Sequence, residues 1–148
     1  MKKTYKVVLW RFLLFAFVGL LFEVIFGAIG SLFQGSLNLR GSTSLWMIFD
    51  YGLFGIILMP IKKGLVKLKF PLLARALVYM LVIYAVEYIS GAIFTSLGLE
   101  IWSYRGLKYN LHGHIALIYA PLWYGLGIFA ELIYGKVDAC AKVLADKH

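Results

Sequence analysis

The chain is 148 residues long, 62% apolar and only 15% charged, with a net charge of +8. Average soluble domains carry roughly 25% charged residues, so this chain has too few polar side chains to cover a surface exposed to water. The composition excludes a disordered protein, a disulfide-rich secreted module and a nucleic-acid-binding domain. Because Cys140 is the one cysteine, no internal disulfide can form. We therefore expect an integral membrane protein.

Four apolar runs follow one another along the chain, at residues 12–30, 45–61, 76–98 and 115–135. Each run is long enough to cross a hydrocarbon layer of ~30 Å as a helix, and backbone amides in lipid must be satisfied within the helix. The sequence predicts an all-α, four-transmembrane-helix bundle that forms a single membrane domain over residues 1–148. Pro121 predicts a kink in the fourth helix.

Lysine and arginine are distributed unevenly between the segments that flank these runs. Twelve of the fifteen lie before the first run, between the second and third, or after the fourth. Since cytoplasmic loops carry the excess of Lys and Arg, both termini are predicted to be cytoplasmic. We expect a multi-pass protein of the bacterial cytoplasmic (plasma) membrane, with the lipid bilayer as its surroundings and no nucleic-acid partner.

The two halves of the sequence resemble each other. A shift of 64 residues aligns residues 7–30 with 71–94 and gives nine identities in 24 positions, among them Arg11 with Arg75 and Glu23 with Glu87. The pattern predicts two tandem helical hairpins, at residues 7–61 and 71–135. Each glutamate follows its arginine by 12 residues, about 18 Å along a helix, so the arginines are not expected to pair with these glutamates.

Each predicted span contains one acid, namely Glu23, Asp50, Glu87 or Glu131. An ionisable group deep in hydrocarbon costs about 2.5 kcal/mol or more, so it normally faces a bundle interior or an aqueous cavity. Each glutamate is followed four residues later by a glycine, which predicts a trough that another group can enter. Glu23 and Glu87 are either a cation or proton site or helix-tying carboxyls, whereas a structural role is favoured for Asp50 and Glu131.

The loop before the fourth span is rich in aromatic and polar side chains. Its candidate residues are Trp102, Tyr104, Asn110, His112 and His114. One interpretation is an interfacial lid in which aromatic rings lie at headgroup level and Asn110 caps the fourth helix. The other is a metal site in which Glu100 joins the two histidines.

Several motifs in order resemble known families. They are Gly19-x-x-Phe22-Glu23-Val24, Gly41-x-Thr43-Ser44-x-Trp46-x-x-Phe49-x-Tyr51-Gly52, Pro71-Leu72-Leu73-x-Arg75, Glu87-x-x-x-Gly91, Trp102-x-Tyr104, Gly113-x-Ile115 and Tyr119-Ala120-x-x-Trp123. Over residues 12–132 this pattern looks like the transmembrane protein 229 family and is similar to bacterial ABC-transporter type IV (CmpB-like) membrane proteins. In the bacterial pattern an acid is usual where Ser103 stands and a basic residue is usual where His114 stands. The resemblance implies a small multi-pass membrane protein.

Three functions remain open at this stage. The first is a transporter or permease, or a subunit of one, in which Glu23 and Glu87 bind a cation or proton while Tyr51 and Tyr84 supply hydroxyls. The second is an accessory or structural protein whose buried acids tie helices together. The third is an outer-leaflet lipid-modifying enzyme that uses the metal-site candidates of the loop. No cofactor motif and no self-contained ATPase or hydrolase motif is found, and a homo-oligomer or a larger membrane partner is expected.

Overall fold

The computed structural model describes residues 2–147, with side chains from Lys3 onward. Its helices are α1 (Lys2–Phe33), α2 (Met47–Lys67), α3 (Leu72–Ser96) and α4 (Ala120–Lys147). A short antiparallel hairpin of β1 (Asn110–Leu111) and β2 (Ile115–Ala116) precedes a 3₁₀ turn at Leu117–Tyr119. The predicted helical fold class is thereby confirmed, but the two-stranded hairpin was not predicted.

Three of the described helical segments are long and apolar enough to cross a membrane: Lys3–Phe33, Leu72–Ser96 and Leu117–Lys147. Helix α2 is apolar over most of its length, but it also carries one aspartate and three lysines in 21 residues. Charges of this kind raise the cost of crossing hydrocarbon. A fourth crossing by α2 therefore stays a prediction.

The helices continue beyond the apolar runs at several ends. Helix α4 passes through Gly135, where the predicted fourth span ends, and continues without a break to Lys147. Pro121 lies in the first turn of α4, a position where a proline removes no intrahelical hydrogen bond. The predicted kink at Pro121 is therefore wrong, and the proline inside a helix is Pro60 of α2.

The described chain divides into two compact units, and the first takes the residues up to Ile56 and those from Lys136 onward. In this unit small residues allow helices to approach closely. A side chain at Gly52 would overlap the ring of Phe12, and one at Gly55 would overlap the ring of Phe15. The buried Val7, Ala141 and Ala145 form an apolar cluster that Trp10 and Leu14 cover.

The loop between α1 and α2 lies directly on α1 in the first unit. A Cβ atom at Gly41 would overlap the carbonyl oxygen of Val24 and would lie 3.0 Å from the backbone nitrogen of Ala28. From the other side, a Cβ atom at Gly27 would lie 3.3 Å from the Cα atom of Gly41. Backbone therefore packs on backbone here, which places the residues after Gly41 next to α1.

Ion pairs join α1 to the last turns of α4 in the same unit. Arg11 binds Asp138, which also accepts a 2.7 Å contact from Lys142 one turn later on α4. At the end of the helix, Lys3 contacts Asp146 at 2.7 Å. The Arg11 side chain is only 24% exposed and the Asp138 side chain 15%, so this pair is largely withdrawn from water.

The second unit is Ile57–Gly135, and its buried residues lie where α3 meets α4. Ala76 and Tyr79 of α3 are fully buried, and Tyr134 of α4 is only 1% exposed. A Cβ atom at Gly127 would lie 2.7 Å from the Cβ atom of Tyr79. The absence of a side chain at Gly127 therefore makes room for the tyrosine.

Arg75 of α3 and Glu131 of α4 form a buried ion pair in the second unit. Two guanidinium nitrogens, Nη2 and Nε, donate to the two carboxylate oxygens at 2.6 Å and 2.9 Å. The hydroxyl of Tyr79 donates to the same carboxylate, and Lys62 lies 3.4 Å away. Because the Glu131 side chain is only 5% exposed, this pair links α3 to α4 away from water.

We expect Gly41→Ala to lower the free energy of unfolding by about 1–3 kcal/mol, because the added methyl group meets backbone atoms that cannot move aside. Thermal unfolding of the purified protein in detergent measures this loss. Gly30→Ala is the matched control, since no atom lies within 4 Å of a Cβ placed there. Equal stability of the two variants would contradict the close backbone contact.

We expect Arg75→Met to destabilise the protein by about 3–5 kcal/mol, because Glu131 then loses its bidentate partner while it remains buried. The double variant Arg75→Met with Glu131→Met should recover most of this loss, since no uncompensated carboxylate is left. Denaturant unfolding of both variants tests the pair, with Lys63→Met at an exposed position of α2 as control. A double variant as unstable as the single one would show that burial of the charge is not the cause.

Candidate functional site

Glu23 lies on α1 and receives hydrogen bonds from two other segments of the first unit. The Thr43 hydroxyl, in the loop after α1, donates to Oε2 at 2.7 Å. The Tyr51 hydroxyl, in the second turn of α2, donates to the same oxygen at 3.3 Å. The close approach at Gly27 and Gly41 brings the threonine within reach. Glu23 is only partly buried. One of its carboxylate oxygens, Oε2, is held by two hydroxyl groups.

Glu87 lies on α3 and is 8% exposed, which makes it one of the buried charged residues of the described chain. The Tyr104 hydroxyl donates to Oε1 at 2.6 Å, and the indole Nε1–H of Trp123 donates to Oε2 at 3.1 Å. Tyr104 comes from the loop between α3 and α4, whereas Trp123 stands in the first turn of α4. Each oxygen of the carboxyl group thus has its own neutral donor.

The loop between α3 and α4 is fastened to the second unit near Glu87. The imidazole of His114 packs on Gly91, where a Cβ atom would lie 3.0 Å from Nδ1. The Trp102 indole donates to the carbonyl oxygen of His114 at 2.9 Å, and the Tyr104 amide donates to Gly113 at 2.8 Å. The predicted trough beside Glu87 is therefore filled by this loop.

Asn110 stabilises the hairpin turn and does not cap α4. Its Nδ2 donates to the carbonyl oxygen of Leu107 at 2.7 Å, and its Oδ1 accepts the amide of Gly113 at 3.0 Å. Helix α4 begins ten residues later, at Ala120. The prediction of a helix cap is wrong because the intervening residues form the two-stranded hairpin and the 3₁₀ turn.

The two histidines of the loop contact one tyrosine of α3. The Tyr88 hydroxyl lies 2.8 Å from Nδ1 of His112, and the Tyr88 ring meets the His114 ring edge-on with centroids 5.5 Å apart. Glu100 is exposed. Within residues 2–147 no three His, Cys, Asp or Glu side chains are close enough to hold a metal ion, so Glu100, His112 and His114 do not form the proposed ligand set.

The remaining candidates, Tyr84 and Asp50, lie beside the hairpin and at the start of α2. The Tyr84 hydroxyl donates to the backbone carbonyl of Ala116 at 3.0 Å and contacts that of Leu117 at 3.4 Å, which directs it to the hairpin. Asp50 stands in the first turn of α2, where a negative charge stabilises the helix N-terminus. Of the two tyrosines expected to supply hydroxyls, Tyr51 donates to Glu23, whereas Tyr84 donates to the backbone of the hairpin.

The donors around the two glutamates differ in chemistry. Thr43 and Tyr51 are hydroxyl groups, which can donate or accept and whose oxygens can coordinate a cation. Tyr104 has the same capacity, but the Trp123 indole can only donate. Both donors at Glu23 are therefore hydroxyl groups, whereas one of the two donors at Glu87 can neither accept a hydrogen bond nor coordinate a cation.

Three donor residues were not assigned to the glutamates from the sequence. Thr43 and Trp123 belong to the quoted motifs, and Tyr104 was assigned to the loop without a partner. Trp123 is the ninth residue of its predicted span, and Glu87 is the twelfth residue of its own. Their similar depth in neighbouring helices was the one sequence signal that could have indicated this contact. No comparable signal marks Thr43, because its position depends on the fold of the loop.

Comparison with known proteins agrees with the structural description. The family described as Putative ABC-transporter type IV (CmpB) matches residues 10–147, nearly the whole chain. No solved structure matches the chain significantly. The similarity to the transmembrane protein 229 family stays a prediction. Together with three apolar helices of membrane-spanning length, the match identifies a membrane protein, and the chain belongs to the ABC-transporter type IV (CmpB) family.

Proposed function

We propose that this protein is a small multi-pass transport protein, or the membrane subunit of a transporter, in which Glu23 and Glu87 take up a proton or a cation. The observation that carries the proposal is the nature of their partners. Both glutamates accept hydrogen bonds from neutral groups, whereas Glu131 is bound by Arg75 and Lys62. A hydroxyl donor can turn to accept a hydrogen bond when the carboxyl group gains a proton, which the guanidinium of an arginine cannot do.

The proposed topology has four membrane crossings in two tandem hairpins, with both termini in the cytoplasm. Exposed apolar side chains support it, because those of α1 recur on α3 at the same shift of 64 residues. The matched pairs are Leu9 with Leu73, Leu13 with Leu77, Phe17 with Leu81, Ile25 with Ile89 and Ile29 with Ile93. Neighbouring positions four residues apart adjoin on the helix surface, so each series forms a continuous stripe that turns gradually about the helix axis. We assign this stripe of each helix to lipid, within the bacterial cytoplasmic membrane.

The proposed proton step at Glu87 follows from its two donors. Because the Trp123 indole has no lone pair to accept with, Oε2 must remain an acceptor and the proton goes to Oε1. The Tyr104 hydroxyl then turns from donor to acceptor, which a rotation about its C–O bond accomplishes. At Glu23, a cation would instead be held by the carboxylate together with the Thr43 and Tyr51 oxygens.

The structural alternative, an accessory subunit, is supported by a different property of the same contacts. Each glutamate connects its own helix to a loop residue and to a residue of another helix. Such contacts tie segments together whether or not a proton moves. In this alternative the acids contribute to stability only, and the protein is purified with a fixed larger partner. A self-contained homo-oligomer fits the transport proposal.

We expect Glu87→Gln to reduce proton flux at least about tenfold while the protein remains folded. Glutamine mimics the protonated carboxyl group, since its oxygen can accept from Trp123 and its amide can donate to Tyr104. Flux is measured in proteoliposomes with an internal pH-sensitive dye under a potassium diffusion potential. Glu100→Gln, at an exposed loop position, is the control. Wild-type flux equal to that of protein-free liposomes would refute the proposal.

We expect Glu23→Gln to abolish uptake of a small monovalent cation, with radioactive sodium as the probe. The amide cannot replace the carboxylate charge, although it can still hydrogen-bond to Thr43 and Tyr51. The thermal unfolding temperature should remain within a few degrees of wild type. Unchanged uptake combined with a large loss of stability would instead favour the accessory role.

A further inference from the structure

A groove runs between the first turns of α1 and the last turns of α4, within the first unit. Its volume is about 490 Å³, and its lining includes Lys3 and Arg11 from α1 and Lys142 from α4. Val7 and Val8 form an apolar part of the same lining. A cavity that joins several cations to an apolar surface has the composition of a site for an amphipathic anion.

Helical spacing places the cations along one side of the groove. Lys3, Val7 and Arg11 are four residues apart, so they share one face of α1 over a length of about 12 Å. Lys142 reaches the groove from α4. The partly exposed Val8 provides apolar surface beside the charged groups, next to the buried Val7.

One acid, Asp146, is part of the groove lining, and Asp138 pairs with two of the lining cations, but the acids do not balance the cations. Asp138 pairs with Arg11 and Lys142, and Asp146 pairs with Lys3, so three cations face two carboxylates and one positive charge is in excess. The Lys3 and Lys142 side chains are 71% and 58% exposed. Exposed ion pairs of this type contribute little to stability, so both ammonium groups can turn to an incoming anion.

We propose that this groove binds one anionic phospholipid, with the phosphate between Lys3 and Lys142 and the start of an acyl chain along Val7 and Val8. The apolar lining favours a lipid over a free phosphate ion. Basic side chains at the boundary between membrane and water attract anionic lipids electrostatically.

The test is a titration of the purified full-length protein in detergent with phosphatidylglycerol, followed by native mass spectrometry and by thermal unfolding. We expect bound phosphatidylglycerol and a raised unfolding temperature, whereas phosphatidylcholine with the same acyl chains and inorganic phosphate should have no such effect. Lys3→Gln with Lys142→Gln should weaken phosphatidylglycerol binding about tenfold or more, and the lipid-free unfolding temperature should not change.

The matched control is Lys63→Gln with Lys67→Gln, which removes the same charge from exposed positions of α2 outside the groove. This control should bind phosphatidylglycerol as wild type does. Equal weakening by both double variants would overturn the proposal, because it would indicate attraction by net charge alone. Equal binding of phosphatidylcholine, or competition by millimolar inorganic phosphate, would overturn the assignment to an anionic lipid. None of these readouts depends on transport through Glu23 or Glu87.

Discussion

The cost of removing a carboxylate from water governs how this chain is organised. With so few polar residues, each acid on an apolar helix must obtain its partners from another segment. The structure supplies two kinds of partner. Asp138 and Glu131 are paired with arginines, which keeps them charged and fixes helices to one another. Glu23 and Glu87 are held by hydroxyl and indole groups, which are neutral donors to the carboxyl oxygens.

Glycine determines which partners can reach the acids. Glu23 receives Thr43 because the chain at Gly41 lies directly against the α1 backbone, where no side chain fits. Beside Glu87, the space at Gly91 is taken by an imidazole of the following loop, and that loop also carries Tyr104. The same spacing at Gly135 leads to no contact, since no atom lies within 4 Å of a Cβ there. A glycine near an acid therefore permits an approach, and the neighbouring segment decides whether one occurs.

The features that the sequence predicted well are those set by local periodicity and composition. These are the helices and the expectation that Arg11 and Arg75 do not pair with Glu23 and Glu87, since the arginines bind Asp138 and Glu131. The hairpin was missed because it depends on backbone conformations with positive φ, at Tyr109 (56°) and His112 (52°), that non-glycine residues adopt only in a particular tertiary setting. Thr43, Tyr104 and Trp123 were missed as donors for a related reason, since contacts between distant segments leave no periodic trace in a single sequence.

The sequence match between the two halves does not extend to the partners of the two acids. A shift of 73 residues pairs Tyr51 with Tyr124, yet Tyr51 donates to Glu23 while Tyr124 donates to the carbonyl oxygen of Leu73. The residue before Tyr124 is Trp123, and its indole donates to Glu87. Because an indole cannot accept a proton or coordinate a cation, the two matched glutamates have different chemical capacities. In the transport function proposed above, this difference allows the two acids to take up different ions, which two identical sites could not do.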